Sequence, residues 1–331
     1  MAGTAKLYHR NTAISRKTVL ATNNNDYITR YFNSIEYVSN IQCLRKLSKN
    51  MTKLKEEYEY YYLLPETVQR FFVQPFGFTI QGEVGYYFME EWPMPDAGTL
   101  STEGEMSDAS FSKLFSKIKL FKKVCPDEPA LDSQVDENAR YLVLEKTKQR
   151  LEELKNSSWY ESEYAIKIEE SKISLDTLYE KLEKAFEEAY QARTYKRIVL
   201  SHGDLTLSNI LWDSRLGLMK LIDPRGSTQM YMDEYYDYAK LSQSINGAYD
   251  DIIHGNYKVE VNTLSLNITR PANQYIIQTF NNYLGEINID LNLLRLYEAA
   301  LFLSMTPHHV EDHKRVTAFI LSAAIILKKY K

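Results

Sequence analysis

Cysteine and glycine are scarce in this chain of 331 residues, and each scarcity excludes a class of protein. The two cysteines, Cys43 and Cys125, lie far apart and form no CxxC pair. A disulfide framework or a structural zinc site is therefore not expected, and a reducing compartment is indicated. Only 12 residues are glycine, and no GxGxxG or GxxxxGK motif occurs. The sequence thus lacks the phosphate-binding loops of dinucleotide-binding and P-loop proteins.

An excess of positive charge and long apolar runs are also lacking. The 40 Lys and Arg residues are outnumbered by 44 Asp and Glu residues, which gives a net charge of −4. Without a basic run, the chain is not expected to bind nucleic acid or an anionic membrane. The longest apolar run, Val316 to Leu327, is too short to cross a bilayer and predicts a buried helix. Met1 to Arg10 lacks the apolar core of a signal peptide, so we expect a cytoplasmic protein without membrane insertion.

The hydrophobic pattern changes near residue 91. Before that point, alternating residues predict strands at 31–38, 41–47, 76–80 and 86–89, with a helix over 52–64 that ends at Pro65. The prolines at 93 and 95 block both helix and ladder, so we place a lobe boundary there. We expect a small β-rich N-terminal lobe, residues 1–91.

Helical spacing dominates after the boundary. Apolar residues recur three and four apart over 111–121, and long charged helices are predicted over 141–155 and 174–196. The second of these carries a one-sided apolar stripe, which is too short for sustained heptads and favours packing onto the same domain over a coiled-coil partner. We therefore predict an α+β fold whose larger, mainly helical C-terminal lobe, residues 92–331, has a helical insertion near 140–196.

Three polar side chains suited to phosphoryl transfer lie on two adjacent loops. A short strand ending at Leu200 leads into the segment SHGDLTLSN, which contains Asp204 and Asn209. A predicted hairpin then delivers Asp223 in the segment IDPRG. Phosphoryl transfer needs a carboxylate to orient the attacking hydroxyl and hard oxygen ligands for Mg²⁺. The spacing of these residues is therefore a strong signal for a phosphotransferase.

This pattern resembles the aminoglycoside phosphotransferase and choline kinase superfamily, whose fold is protein-kinase-like and bilobed. His202 to Asn209 match the family's catalytic loop HGDxxxxN in full, and Ile222-Asp223 match its metal loop. The resemblance implies that Asp204 is the catalytic base and that Asn209 and Asp223 bind Mg²⁺. It also implies that His202 organises the loop, that the N-terminal lobe binds the nucleotide and that the C-terminal lobe carries the catalytic residues and binds the acceptor.

The resemblance extends to further positions that would bind or support the nucleotide. In the N-terminal part it nominates Lys46 as the phosphate-binding lysine, with Arg45 and Lys49 as competitors, and Glu57 as its helix partner, with Glu56 as the alternative. It also places a hinge that binds adenine at Glu90 and Glu91. Leu211 would line the adenine pocket.

Asp237, in a segment resembling the family's D-L-A sequence, would brace the catalytic loop.

Two departures from the family pattern concern phosphate and metal binding. No glycine-rich loop precedes the lysine strand, and Phe32 to Ile35 stand in its place, where Asn33 and Ser34 could cover phosphates with backbone amides. Many family members have a second acid two residues after the metal-binding Asp, but this chain has Arg225. A second metal is therefore in doubt, and Arg225 is a candidate for contacting a phosphate or an anionic acceptor.

Other constellations favour structural interpretations. Ser201, His202 and Asp204 are too close along one loop to align as a hydrolase triad. His309 and His313 share a helix face, but we favour a structural cluster over a zinc site because no Glu directly follows the first His. The acidic, tyrosine-rich segment 230–238 is interpreted as a helix start with packed rings and solvated acids, with a cation-attracting acceptor pocket as the alternative.

The resemblance implies an ATP- and Mg²⁺-dependent kinase that phosphorylates a small-molecule hydroxyl, with GTP left open as the donor. The combination of FNSI, the lysine strand, HGDLTLSN and IDPRG resembles members associated with bacterial capsule or surface-polysaccharide genes, which implies a sugar or polyol acceptor. Choline or ethanolamine is the next alternative, followed by an aminoglycoside. A non-catalytic, nucleotide-binding pseudokinase is the alternative from another class, motivated by the missing glycine-rich loop and by Arg225.

Overall fold

The protein is described by a computed structural model that covers residues 26–27 and 33–330. By packing, the described chain divides into two compact units. The first comprises the residues up to Cys125 together with His202–Met230, and the second comprises Pro126–Ser201 together with the chain from Tyr231 onward. A small N-terminal β-sheet is followed by a larger helical part, which confirms the predicted α+β class. The predicted features at Met1 to Arg10 and at Tyr31 and Phe32 lie outside the described residues.

The first unit is built on a five-stranded antiparallel sheet in the order β1-β2-β3-β5-β4. Its strands are β1 Asp26–Tyr27, β2 Asn33–Val38, β3 Cys43–Ser48, β4 Pro75–Gln81 and β5 Val84–Glu90. Buried and half-buried residues alternate along β5, as expected for a sheet with one face on a core. Asn33 and Ser34 are strand residues paired with Ser48 and Leu47, in line with the strand predicted over 31–38. Contact of their backbone amides with phosphates stays a prediction.

One helix packs on this sheet. Asn50 caps α1, Met51–Leu63, by accepting a hydrogen bond from the Lys53 amide, and the helix ends before Pro65, where a proline excludes another turn. Its buried residues, Leu54, Glu57 and Tyr60, recur every three residues and therefore lie on one face. The shared core contains Leu54, Val73, Tyr87 and Met89.

The hairpin β8 Ile210–Asp213 and β9 Leu218–Leu221 belongs to the first unit, as do α2 Glu66–Gln69, α3 Ala97–Thr102 and α4 Asp108–Val124. Trp212 connects these elements, because its amide donates to Pro95 and its indole nitrogen donates to the Ser110 hydroxyl at 2.9 Å. The boundary predicted at residue 91 therefore falls inside a compact unit. The assignment of nucleotide binding and acceptor binding to separate lobes stays a prediction.

The second unit is mainly helical. Its helices are α5 Asp132–Arg140, α6 Lys146–Lys155, α7 Glu163–Glu169, α8 Leu175–Gln191, α9 Tyr235–Ile245, α10 Tyr249–Ile253, α11 Gln274–Glu286, α12 Leu291–Met305 and α13 His313–Leu327. Its strands are β6 Asp127–Glu128, β7 Ile198–Leu200 and β10 Tyr231–Asp233 in one sheet, and the hairpin β11 Tyr257–Glu260 with β12 Ser265–Ile268.

Two predicted helices have different bounds. The helix predicted over 141–155 begins with α5 and passes through a π-helical turn, Tyr141–Glu145, before α6. The helix predicted over 174–196 is α8, which ends five residues early, because Arg193 and Arg197 are drawn into ion pairs with the β10 end. The apolar stripe of α8 is buried throughout, which confirms packing within the domain: Leu175, Leu178, Leu182, Phe186 and Tyr190.

Across residues 26–27 and 33–330, no helix combines the length and apolarity needed to cross a membrane.

The acidic segment 230–238 contains a strand that the sequence analysis missed. β10 pairs antiparallel with β7, and Asp233 and Glu234 at its end are buried. Arg193 contacts both acids, at 2.5 Å and 3.2 Å, and Arg197 contacts Glu234 at 2.6 Å. The prediction of solvated acids is wrong for this pair, and their negative charge is already balanced by two guanidinium groups.

Gly247, which follows α9, is a position where no side chain fits. A Cβ added there would lie 2.7 Å from Glu298 Oε1 and 2.7 Å from two ring carbons of Phe302. The residues Glu298 and Phe302 are both fully buried. We expect Gly247→Ala to lower the free energy of unfolding by about 2 kcal/mol, because an overpacked core must shift backbone or rings. Chemical denaturation would measure this, with Gly285→Ala as the control, since a Cβ at Gly285 meets no described atom within 4 Å. Equal stability of both variants would contradict the packing argument.

Candidate active site

The centre of the candidate site is the ammonium group of Lys46, which lies between two carboxylates. Lys46 Nζ lies 2.6 Å from Glu57 Oε2 and 2.9 Å from Asp223 Oδ1. Strand β3 supplies the lysine, helix α1 supplies Glu57, and the turn after β9 supplies Asp223. The side chains of Lys46 and Glu57 are nearly inaccessible to solvent, whereas that of Asp223 is 43% exposed. The three predicted residues are therefore in contact, with one carboxylate open to solvent.

Burial and charge act in opposite directions on this cluster. Burial alone lowers the pKa of Lys46, but the attraction of Asp223 and Glu57 outweighs it and raises this pKa well above its usual value. Burial raises the pKa of Glu57, and the neighbouring ammonium of Lys46 opposes that effect. Lys46 therefore stays a cation at neutral pH, which is the state needed to offset the charge of a phosphate.

The alternative residues lie elsewhere. Arg45 points to the opposite face of β3, since side chains alternate along a strand, and there it pairs with Glu36 and lies over the Tyr86 ring. Lys49 is exposed beyond the end of β3. Glu56, the neighbour of Glu57, lies beside Gly226, where an added Cβ would be 2.9 Å from Glu56 Cβ.

The catalytic-loop histidine is used structurally. The Asp204 amide donates to His202 Nδ1 at 3.2 Å, so Nδ1 is an acceptor, and Nε2 must then donate to the Ile222 carbonyl at 2.9 Å. The ring is fully buried and stacks on Phe72, with the ring centroids 5.7 Å apart. Both nitrogens are therefore engaged in holding the loops. His202 connects the start of the HGD loop to the residue before Asp223.

Asp204 and Asn209 form the second pair of predicted residues that are in contact. Asn209 Nδ2 donates to the Asp204 carbonyl at 2.8 Å and to Asp204 Oδ2 at 3.2 Å. A 3-10 turn, Leu207–Asn209, closes the loop between them. Asp204 is a half-buried residue, so its carboxylate is held by the bond from Asn209 while the residue stays partly accessible.

Backbone hydrogen bonds join the two loops. The Ile222 amide donates to the Asn209 carbonyl at 3.1 Å, and the Arg225 amide donates to the His202 carbonyl at 2.9 Å. Between them, Asp223 has a left-handed backbone with φ of 55°, a strained conformation that turns its side chain out of the strand direction. The loops carrying Asp204 and Asp223 are thereby held side by side.

The predicted nucleobase residues lie around the apolar core of the first unit. Leu211, which follows Asn209 by two residues, packs on this core together with Trp92 and Ile222. Glu90 ends β5 and accepts a hydrogen bond from the Trp92 indole at 3.0 Å, and Glu91 follows it half-buried. Arg225, the departure noted in the sequence, donates through Nε to Gln229 Oε1 at 2.5 Å. Asp237 is fully buried in α9.

Two oxygen ligands suited to Mg²⁺ are available. Asp223 offers a half-exposed carboxylate, and Asn209 donates through its amide nitrogen, so its Oδ1 faces outward from that bond without a hydrogen-bond partner among the described residues. Within the described ranges, no group of three or more His, Cys, Asp or Glu side chains is arranged to hold a metal. The side chains of His308, His309 and His313 are therefore not arranged as a metal site either. Mg²⁺ commonly takes only one or two protein ligands and completes its shell with water and phosphate oxygens, so the donor set fits it.

Sequence reasoning missed two residues of the site. Phe72, which follows α2, stacks on His202 and contacts the rings of Tyr60 and Phe121. Gly226 lies against helix α1. Neither residue belongs to a motif, because Phe72 and Gly226 both act through shape alone. In a chain with little glycine, however, the glycine three residues after Asp223 was a visible signal.

Comparisons with known proteins identify the fold. No family profile matches the sequence, and no curated protein is recognisably similar to it. Among solved structures, a thermostable aminoglycoside phosphotransferase APH(4)-Ia in ternary complex with AMP-PNP and hygromycin B has a TM-score of 0.54 at 10% identity, covering 93% of this chain and 92% of its own. An ethanolamine kinase of Plasmodium vivax has a TM-score of 0.52 at 13% identity, covering 99% and 89%.

A Haemophilus somnus protein assigned as a fructosamine-3-kinase has a TM-score of 0.53 at 11% identity, covering 96% of this chain and 97% of its own. The similarity thus extends over nearly the whole chain, at identities that show the fold alone. The chain has the protein-kinase-like fold shared by aminoglycoside, ethanolamine and fructosamine kinases.

Proposed function

We propose that this protein is an ATP- and Mg²⁺-dependent phosphotransferase that phosphorylates a hydroxyl group of a small molecule. The observation that carries the proposal is the Lys46 ammonium held by Glu57 and Asp223, in the same unit as the Asp204–Asn209 loop. A buried cation beside a half-exposed carboxylate is a site for phosphates, and a fixed, accessible carboxylate nearby suits a hydroxyl nucleophile.

Each residue has a distinct task in this proposal. Asp204 orients the acceptor hydroxyl and accepts its proton as the oxygen attacks the γ-phosphorus and the bond to the ADP oxygen breaks. Lys46 binds the nucleotide phosphates, and Glu57 holds the ammonium in place. Asn209 and Asp223 would hold Mg²⁺, which supplies charge neutralisation on the phosphates when bound. His202, with both nitrogens engaged, fixes the geometry of both loops and transfers no proton.

For the acceptor we propose a sugar or polyol, as in the synthesis of a capsule or surface polysaccharide. The motifs described above support this choice, and the fold is shared with a protein assigned to fructosamine phosphorylation. Choline or ethanolamine is the second candidate, because an ethanolamine kinase has the same fold. The acids Asp233 and Glu234 no longer argue for a cationic acceptor, since Arg193 and Arg197 neutralise them.

A pseudokinase is the alternative of another class. Its motivation is Arg225, which replaces a second acid, together with the missing glycine-rich loop. Against it stands the presence of Asp204, Asn209 and Asp223 together with the Lys46–Glu57 pair, so no residue that phosphoryl transfer needs in this scheme is absent. A pseudokinase would bind nucleotide without transferring its phosphoryl group to any acceptor.

The test is ADP or GDP release from ATP or GTP with Mg²⁺, in the presence of sugars, polyols, choline, ethanolamine or aminoglycosides. We expect ATP turnover to be stimulated by one acceptor class, with a sugar or polyol first. Stimulation by choline or an aminoglycoside alone would refute the proposed acceptor and leave the kinase intact. Tight nucleotide binding without turnover across the whole panel would favour the pseudokinase.

A further inference from the structure

One glycine of the first unit, Gly226, lies where two backbone segments approach each other unusually closely. Gly226 has φ of 123°, a conformation that residues with a side chain rarely adopt. A Cβ built on it would lie 2.9 Å from Glu56 Cβ and 3.5 Å from the Glu56 backbone carbon. Because the contacted atoms belong to the root of the Glu56 side chain and to its backbone, helix α1 itself would have to move to admit a larger residue.

The contact joins the two segments that provide the carboxylates of the lysine cluster. Glu56 directly precedes Glu57 in α1, and Gly226 lies three residues after Asp223. A second contact, from the Ser227 hydroxyl to Glu59 Oε2 at 3.5 Å, lies one helical turn further along. The turn also binds the catalytic loop, through the Arg225 amide and the His202 carbonyl.

We propose that Gly226 is a positioning residue that sets the location of helix α1 and thereby keeps Glu57 on the Lys46 ammonium. The importance of this for catalysis rests on the proposed function. Since the glycine lets the turn approach the helix without a side chain between them, the distance from the metal loop to α1 is fixed by backbone packing. A displaced helix would carry Glu57 away and expose a lysine that is now 2% accessible.

The test compares Gly226→Ala with Gly217→Ala. Gly217 also has a positive φ, 61°, in the hairpin turn of the same unit, but an added Cβ there meets no described atom within 4 Å. Both variants place a side chain at a positive φ, but the strain is greater at Gly226, whose φ of 123° and ψ of 165° are adopted almost only by glycine. The helix-side variants described below test the contact without this difference in strain. The readout is acetylation of Lys46 by an N-hydroxysuccinimide ester, followed by mass spectrometry, which requires no nucleotide.

We expect Gly226→Ala to raise the labelling rate of Lys46 at least about tenfold through local opening. The labelling rate of Lys46 should not change in Gly217→Ala. The labelling rate of the exposed Lys55 should not change in either variant. The affinity for ATP should fall in parallel. An unchanged Lys46 rate in a folded Gly226→Ala protein would overturn the proposal. If the wild-type protein has no kinase activity, the proposed function is refuted, but the labelling comparison still tests the role of Gly226.

If Gly226→Ala does not fold, the contact can be removed from the helix side. Glu56→Gly deletes the side-chain atoms that bear on the turn, and Lys55→Gly at the neighbouring exposed position is matched for the cost of a helical glycine, about 1 kcal/mol. We expect faster Lys46 labelling in Glu56→Gly than in Lys55→Gly. Equal rates in these two variants would overturn the proposal as well.

Discussion

Replacing Asp204 with Asn is expected to lower kcat by about a thousandfold while the affinity for nucleotide stays within a factor of about three. Positioned general bases commonly contribute between about a hundredfold and ten-thousandfold. The amide keeps the size of the side chain and can still contact Asn209, which binds both the carbonyl and the carboxylate of Asp204. The variant therefore removes the proton acceptor with little change to the loop. The measurement is kcat with the acceptor found in the panel, beside a calorimetric Kd for ATP.

Asp213→Asn is the matched control for this experiment. Asp213 ends β8 in the same unit, and its Oδ1 accepts hydrogen bonds from the amides of Arg215 and Leu216, an arrangement that Asn can replace. We expect its kcat to equal that of the wild type. Activity retained in Asp204→Asn would show that another group accepts the proton, and a loss of nucleotide affinity in that variant would show that the loop itself had changed.

Replacing Lys46 with Met is expected to lower kcat/KM by at least about a hundredfold and the free energy of unfolding by about 3 kcal/mol. The activity is lost because the phosphates lose their cation. The stability is lost because Glu57, only 6% exposed, would be left buried without the ammonium that now lies 2.6 Å away. Asp223 contributes little to this loss, since its carboxylate remains hydrated.

A second substitution separates the two effects. Adding Glu57→Leu to Lys46→Met removes the orphaned carboxylate, so we expect most of the stability to return while the activity stays low. Arg45→Met is the control, because Arg45 occupies the preceding position of β3 on the opposite face and pairs there with the partly exposed Glu36. Full activity in Lys46→Met, or equal activity losses in Lys46→Met and Arg45→Met, would contradict the assignment of Lys46.

Much of the fold was predictable because its elements follow strong local rules. Within the described residues, the four strands predicted before residue 91 and the helix ended by Pro65 match the structure to within about two residues, as expected where turns and proline set the limits. The two-residue strand β1 was not predicted. The lysine strand and the HGD loop also carried their own sequence signals. The pairing of Lys46 with Glu57 was proposed from the resemblance and is present in the structure, whereas the contact of Lys46 with Asp223, across 177 positions, was not predicted.

The missed features depend on contacts that are distant in sequence. The acidic residues Asp233 and Glu234 looked solvated because their partners, Arg193 and Arg197, lie some forty positions earlier. Strand β10 has three residues and exists only because it pairs with β7. The compact unit that unites the N-terminal sheet with the catalytic loop likewise joins segments on either side of residues 126–201. Local periodicity contains no information on such pairings.

The central claim is that Lys46, Glu57, Asn209 and Asp223 form a site for a nucleotide with its metal. The most direct test is calorimetric titration of the folded wild-type chain with ATP, with Mg²⁺ or with EDTA, beside Asp223→Asn. The account predicts binding that is at least about tenfold tighter with Mg²⁺, and an Asp223→Asn variant in which Mg²⁺ has little effect. A folded wild-type chain that binds neither ATP nor GTP would contradict the account.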